Sequence, residues 1–157
     1  MKDKRNIIVK LLEWGTIISA FGLISTVVLQ IVTRRFFVDF APSWTEEASR
    51  YFFIYAISFG AGLAQKEYYF VSMDYFYQKF NPKIKRLVDL LISLSSIILF
   101  LLMSIFSIYF ILLGALETSP SLGLPMSIAF TSMLIMSGSI LYYLLIQLIY
   151  NIKTATK

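Results

Sequence analysis

The chain contains no cysteine and no histidine among its 157 residues. Without cysteine it can form neither a disulfide nor a thiolate metal site, and it has no thiol nucleophile. Without histidine it lacks the commonest general base and the commonest metal ligand in proteins. No glycine-rich phosphate loop, carboxylate cluster or nucleophile–base pair replaces them. We therefore predict that the protein is not an enzyme and that it carries no cofactor and no metal ion.

Charged residues are also scarce, at 15% of the chain, where soluble proteins have about 25%. Hydrophobic residues make up 58%, against roughly 45–50% in soluble proteins. A helix needs about 20 mostly apolar residues to cross the core of a bilayer. Four runs approach or exceed this length, at residues 11–32, 48–64, 87–116 and 126–150. We predict a single all-α integral membrane domain, residues 1–157, with four transmembrane helices.

The basic residues are distributed unevenly between the two sides of these runs. Eleven of the 14 lysines and arginines precede the first run, follow the fourth, or lie between the second and third. The other side holds only Arg34, Arg35 and Arg50. Because lysine and arginine are enriched in cytoplasmic loops, both termini are predicted to be cytoplasmic. The net charge of +5 is then a sign of membrane orientation, and nucleic acid is not an expected partner.

The connection between the second and third runs contains an aromatic-rich segment, from Lys66 to Phe80. Its apolar side chains recur at helical spacing at Tyr69, Met73 and Phe76. This pattern favours a short amphipathic helix lying in the cytoplasmic interface, although an irregular aromatic loop is the alternative. Basic residues follow it at the start of the third run and are candidate contacts for anionic lipid headgroups. They are Lys83, Lys85 and Arg86.

Charged residues gather where the second run begins. Thr45 can cap this helix, and Glu46 and Glu47 follow in the first turn, where the helix dipole favours negative charge. Arg50 lies on the same face as both glutamates. We predict a polar cluster at the periplasmic boundary that ties the first helix to the second and is a candidate subunit interface. Its residues, with an interfacial tryptophan, are Arg34, Trp44, Glu46, Glu47 and Arg50.

Small residues form one stripe on each of the first two helices. Such stripes let helices approach closely, either within this bundle or against a partner subunit, and the sequence leaves both possibilities open. The candidate packing residues are Gly15, Ser19 and Gly22 on the first helix, and Ala56, Gly60 and Ala64 on the second. Acids and bases are missing from the middle of all four runs. Because ionisable groups at that depth mark transport pathways, this chain alone is not expected to carry a charged substrate.

Several short motifs occur in a fixed order along nearly the whole chain. The most specific are Trp-x-Glu-Glu-x-x-Arg at residues 44–50 and Ser-Pro-x-x-Gly-x-Pro at residues 119–125. With these spacings they resemble the small membrane subunit of tripartite ATP-independent periplasmic (TRAP) transporters, the DctQ-like family. The remaining matching elements are residues 30–34, Gly60-Ala61, Lys66-Glu67, Met73-Asp74 and Asn81-Pro82-Lys83.

The resemblance implies a scaffold subunit in the bacterial inner membrane. Such a subunit pairs with a large multi-helix permease that imports an organic acid on a sodium gradient. A periplasmic binding protein delivers the acid, and the small subunit does not bind it. The alternative is a small four-helix, proton-coupled multidrug exporter that uses Glu13. However, Glu13 lies close to the start of the first run, which places it near the headgroups.

Overall fold

The structure is a computed structural model that describes residues 2–36, 42–66 and 82–155. Four helices account for most of these residues: α1 (Lys2–Phe36), α2 (Trp44–Lys66), α3 (Pro82–Gly114) and α4 (Ser127–Ala155). The described part has no extended strand, only an isolated bridge between Thr118 and Pro125. The segment predicted as an interfacial helix lies outside the described residues, except for Lys66 at the end of α2.

The helices extend beyond the apolar runs at most of their ends. Pro82 occupies the first position of α3, where its missing N–H group is no loss and its backbone angle suits the helix. The last turn of α1 contains Arg34 and Arg35. Their positive charges interact favourably with the negative end of the helix dipole. The polar extensions lengthen the helices but leave their number as the sequence predicted.

The helices pack in the order α1, α2, α4, α3, so that α2 and α4 are the inner pair. α1 and α2 are antiparallel: Gly22 faces the ring of Phe52, whereas Gly15, earlier in α1, faces the ring of Phe59, later in α2. The chain therefore begins at the end of the bundle where α2 finishes.

α2 and α4 run in the same direction. Tyr55 contacts Ile128 near the start of α4, and Gln65 reaches Gln147 towards its end. α4 therefore ends at the same end of the bundle as α2, and this is also where α1 starts.

Within the described residues, three helices are long and apolar enough to cross a membrane: α1 over Ile7–Phe36, α3 over Leu87–Gly114 and α4 over Ser127–Ile149. α2 has 23 residues, about 35 Å of helix, but it is less apolar and is not among these candidate spans. Its inner position gives a physical reason, since a helix covered by two neighbours exposes less of its surface to lipid. Its crossing of the membrane remains a prediction.

Few large apolar side chains in the described part of the chain are buried: Leu12, Ile140, Tyr143 and Leu144. Most large apolar residues of α1 and α3 are exposed, including Phe21 and Leu112. A soluble protein rarely exposes apolar surface on this scale. In a bilayer the same surface faces hydrocarbon, so helix contacts depend on close packing rather than on apolar burial.

Candidate functional site

Glu46 joins the end of α1 to the start of α2. The Arg50 guanidinium donates from Nη2 to Glu46 Oε1 at 2.6 Å, and Arg34 Nη2 lies 3.6 Å from Glu46 Oε2. All three side chains are well exposed, and ion pairs of that kind contribute about 0.2–1 kcal/mol each. The structure thus brings together three of the residues predicted to form the polar cluster.

Glu47 makes different contacts from its neighbour. Its Oε2 accepts hydrogen bonds from the backbone N–H groups of Ser121 at 2.9 Å and Leu122 at 3.0 Å. The hydroxyl of Ser119, followed by these two N–H groups, lowers the pKa of the Glu47 carboxyl. Glu47 therefore ties the start of α2 to the loop between α3 and α4, rather than to the two arginines.

This loop, residues 115–126, is closed by its own backbone. The N–H of Ser119 donates to the carbonyl of Leu124 at 2.8 Å, and the N–H of Gly123 donates to the carbonyl of Ser119 at 3.0 Å. Gly123 has a φ of 64°, a left-handed conformation that favours glycine. The closed turn fixes the direction of the two N–H groups that bind the Glu47 carboxylate.

The first turn of α2 differs from the prediction at one residue. α2 begins at Trp44, so Thr45 lies inside the helix. The Thr45 hydroxyl donates to the carbonyl of Pro42 at 2.8 Å, whereas a capping hydroxyl accepts a bond from a backbone N–H. The prediction that Thr45 caps the helix is wrong, because the helix starts at Trp44 and not at Glu46, two residues earlier than predicted. Trp44 is partly exposed.

The two inner helices share polar contacts that the sequence analysis missed. The Tyr55 hydroxyl donates to the carbonyl of Ile128 at 2.6 Å, and Gln65 Nε2 donates to Gln147 Oε1 at 3.4 Å. Gln147 lies inside the fourth apolar run, and a polar side chain at such a position commonly bonds across helices. A glutamine inside an apolar run could have predicted an interhelical hydrogen bond at Gln147, although it could not have identified Gln65 as the partner.

The candidate packing residues divide into two groups. A Cβ added at Gly15 would lie 2.8 Å from the Phe59 ring, and one added at Gly22 would lie 2.5 Å from the Phe52 ring. Ser19, between them in α1, is buried. In contrast, a Cβ at Gly60 would meet nothing within 4 Å, and Ala56 and Ala64 are partly exposed. The α1 stripe packs inside this chain, and the α2 stripe lies on an open face at Gly60.

Several buried serines in the helices are satisfied locally. Four buried serine hydroxyls donate to carbonyls three or four residues earlier in their own helices, at Ser58, Ser107, Ser132 and Ser137. This arrangement satisfies the hydroxyl without a partner helix. Among the described residues, no group of three or more acidic side chains could hold a metal ion.

Three other predicted residues, Lys83, Lys85 and Arg86, lie in the first turns of α3. Their contact with lipid headgroups remains a prediction. Glu13, the residue of the exporter alternative, is exposed near the start of α1.

The chain was compared with known protein families and with curated proteins. The family model described as tripartite ATP-independent periplasmic transporters, DctQ component, matches residues 23–154. This segment begins within α1 and includes the start of α2, the loop bound by Glu47 and nearly all of α4. The comparison with curated proteins finds no match.

Proposed function

The chain belongs to the DctQ family of TRAP transporter components, and we propose that it is the scaffold that supports a large permease subunit. In this proposal the permease carries the substrate, an organic acid, inward on a sodium gradient. A periplasmic binding protein delivers the acid to the complex. The small subunit holds the permease in the membrane and binds neither the acid nor sodium. It is thus a component of a transporter and not an enzyme.

The observation that carries this proposal is the lack of charged residues in the middle of the four apolar runs of the sequence. Between Glu13 and Arg34 in α1, between Arg50 and Lys66 in α2, and after Asp89 in α3 there is no charged side chain. Four buried serines of α2, α3 and α4 bond to their own backbones. An organic anion and a sodium ion both need polar partners inside a bilayer, so another subunit has to supply them.

We further propose that α2 is the fourth membrane helix. It runs antiparallel to α1 and in the same direction as α4, both of which are long and apolar enough to span. A helix held between two spanning helices lies at the same depth in the bilayer. With the excess of basic residues on one side, both termini are cytoplasmic and the chain crosses the inner membrane four times.

The open stripe on α2 is where we place the permease. Gly15 and Gly22 are already covered by phenylalanine rings, whereas a Cβ added at Gly60 would meet nothing within 4 Å. With Ala56 and Ala64 it offers a surface on which a second helix can approach closely. The family match favours this function over a multidrug exporter that would use Glu13.

Co-purification with the large membrane subunit of the same transporter tests the proposal. Gly60→Leu fills the open stripe and should lower the yield of the two-subunit complex, while the lone subunit keeps its stability. Ser95→Leu is the matched control, because Ser95 is exposed on α3, and it should leave the yield unchanged. A wild-type chain that fails to form any complex would contradict the scaffold function. Normal complex formation by Gly60→Leu would contradict only the assigned surface.

A further inference from the structure

Two arginines share a single carboxylate at the junction of α1 and α2. Arg34 and Arg50 both pair with Glu46, and their side chains are 63% and 74% exposed. The Glu47 carboxylate instead accepts hydrogen bonds from the loop N–H groups of Ser121 and Leu122. The three side chains, called the arginine patch below, therefore carry one net positive charge. Each guanidinium has five N–H donors, and only Nη2 of each is directed at Glu46.

Exposed apolar side chains continue the same surface away from the arginine patch. Phe53 and Ile57 follow Arg50 by three and seven residues, which places them on the same helix face. They are 52% and 47% exposed. The arginine patch thus adjoins an exposed apolar strip on α2.

We propose that the arginine patch binds the phosphate of an anionic phospholipid, with an acyl chain lying over Phe53 and Ile57. A guanidinium donates two parallel N–H bonds to a phosphate, which makes arginine the preferred residue for this group. One net negative charge on the lipid complements the one net positive charge of the patch. A zwitterionic phospholipid brings an additional cation towards a surface that is already positive.

The apolar surface distinguishes a lipid from free phosphate. Inorganic phosphate would use the two arginines and leave Phe53 and Ile57 uncovered. A phospholipid covers both parts, since its acyl chains begin next to its phosphate. The inference rests on α2 being a membrane helix, as proposed above, but not on the pairing with a permease.

Native mass spectrometry of the purified full chain tests this site. The protein is titrated separately with phosphatidylglycerol, phosphatidylcholine and inorganic phosphate. We expect phosphatidylglycerol to bind most tightly. Arg50→Gln should weaken it by on the order of tenfold through the loss of charge-assisted hydrogen bonds. Lys10→Gln, which removes a positive charge from an exposed position at the far end of α1, should change this affinity little.

Glu46→Gln separates lipid binding from a purely local ion pair. Removing the carboxylate raises the net charge of the arginine patch to two, so the affinity for phosphatidylglycerol should rise. If the cluster only ties α1 to α2, Glu46→Gln lowers thermal stability without strengthening lipid binding, and the proposal fails. Equal affinity for phosphatidylglycerol and phosphatidylcholine, or equal losses in Arg50→Gln and Lys10→Gln, would also overturn it. Equally tight binding of inorganic phosphate would likewise overturn it.

Discussion

Gly62 lies where three helices meet, and substituting it with alanine tests the packing of the bundle. An added Cβ would lie 2.6 Å from Ser139 Oγ and 2.8 Å from Ser139 Cβ on α4, and 3.2 Å from a methyl group of Leu12 on α1. Because Cβ atoms are fixed to the backbone, Ser139 cannot move aside without a shift of α4. We therefore expect Gly62→Ala to push α2 and α4 apart.

The loss of stability in Gly62→Ala is best measured against Gly60→Ala on the same helix. Optimal carbon–carbon contacts are about 3.5–4.0 Å, so the new Cβ is roughly 0.7 Å too close to Ser139 Cβ. Overpacking of this kind costs about 1–3 kcal/mol. Replacing glycine by alanine in a helix gains up to about 1 kcal/mol, but this gain is common to both variants. Gly62→Ala should thus be less stable than Gly60→Ala by about 1–3 kcal/mol.

Thermal unfolding of the purified subunit in detergent measures this difference. The fraction that stays monodisperse after heating gives a midpoint for each variant. We expect the midpoint of Gly62→Ala to lie several degrees below that of Gly60→Ala, with Gly60→Ala at or above the wild type. Equal midpoints, or a higher midpoint for Gly62→Ala, would refute the close approach of α2 and α4 at this position.

Further predictions concern the loop, the helix contacts and the orientation. Glu47→Gln should speed hydrogen exchange at the two loop amides that its carboxylate binds, because a neutral amide is a weaker acceptor; unchanged exchange would argue against the contact. In the wild type, the pKa of Glu47 lies below its ordinary value of 4.5. Its stabilising contribution is therefore complete at neutral pH and is lost only as the pH falls through the lowered pKa. Hydrogen exchange at the same two amides should speed up over that pH range. Tyr55→Phe removes an interhelical hydrogen bond and should lower stability by roughly 0.6 kcal/mol, the average for such bonds in membranes; no change in the unfolding midpoint would mean that water or lipid serves that carbonyl equally well. Alanine at both Glu46 and Arg50 should cost less stability than the sum of the single changes, since the two residues interact directly; strict additivity would show that they do not. Single cysteines should react with an impermeant thiol reagent from the periplasm at Ser43 and Ser121, but not at Gln78 and Thr154; the reverse pattern would invert the orientation.

The number and class of helices could be predicted from the sequence because hydropathy reports directly on burial in lipid. The prediction of a membrane helix was weakest for the second helix. Its apolar run, residues 48–64, is the shortest of the four, and the structure places it between α1 and α4. A helix with protein on two sides can carry tyrosine, serine and glycine, so its lower hydropathy reflects its neighbours. The position of α2 between α1 and α4 cannot be predicted from the hydropathy of the sequence.

The contacts of Glu46 and Glu47 show where prediction from the sequence ends. Glu46 pairs with Arg50 four residues away, a spacing that any helix brings together. Glu47 binds backbone N–H groups at Ser121 and Leu122, 74 and 75 residues later in the chain. Backbone donors are present at almost every residue and leave no mark on the sequence. The charge pattern therefore predicted that Glu47 would pair with arginine, although its partner in the structure is the loop between α3 and α4.

Reconstituted transport tests the central claim most directly. The chain is inserted alone into liposomes, and in parallel together with the large membrane subunit and the periplasmic binding protein, and uptake of a labelled organic acid is followed under an inward sodium gradient. We expect sodium-dependent uptake only in the complete system, and none with this chain alone. Uptake by the lone chain, or undiminished uptake when this chain is omitted from the complete system, would contradict it.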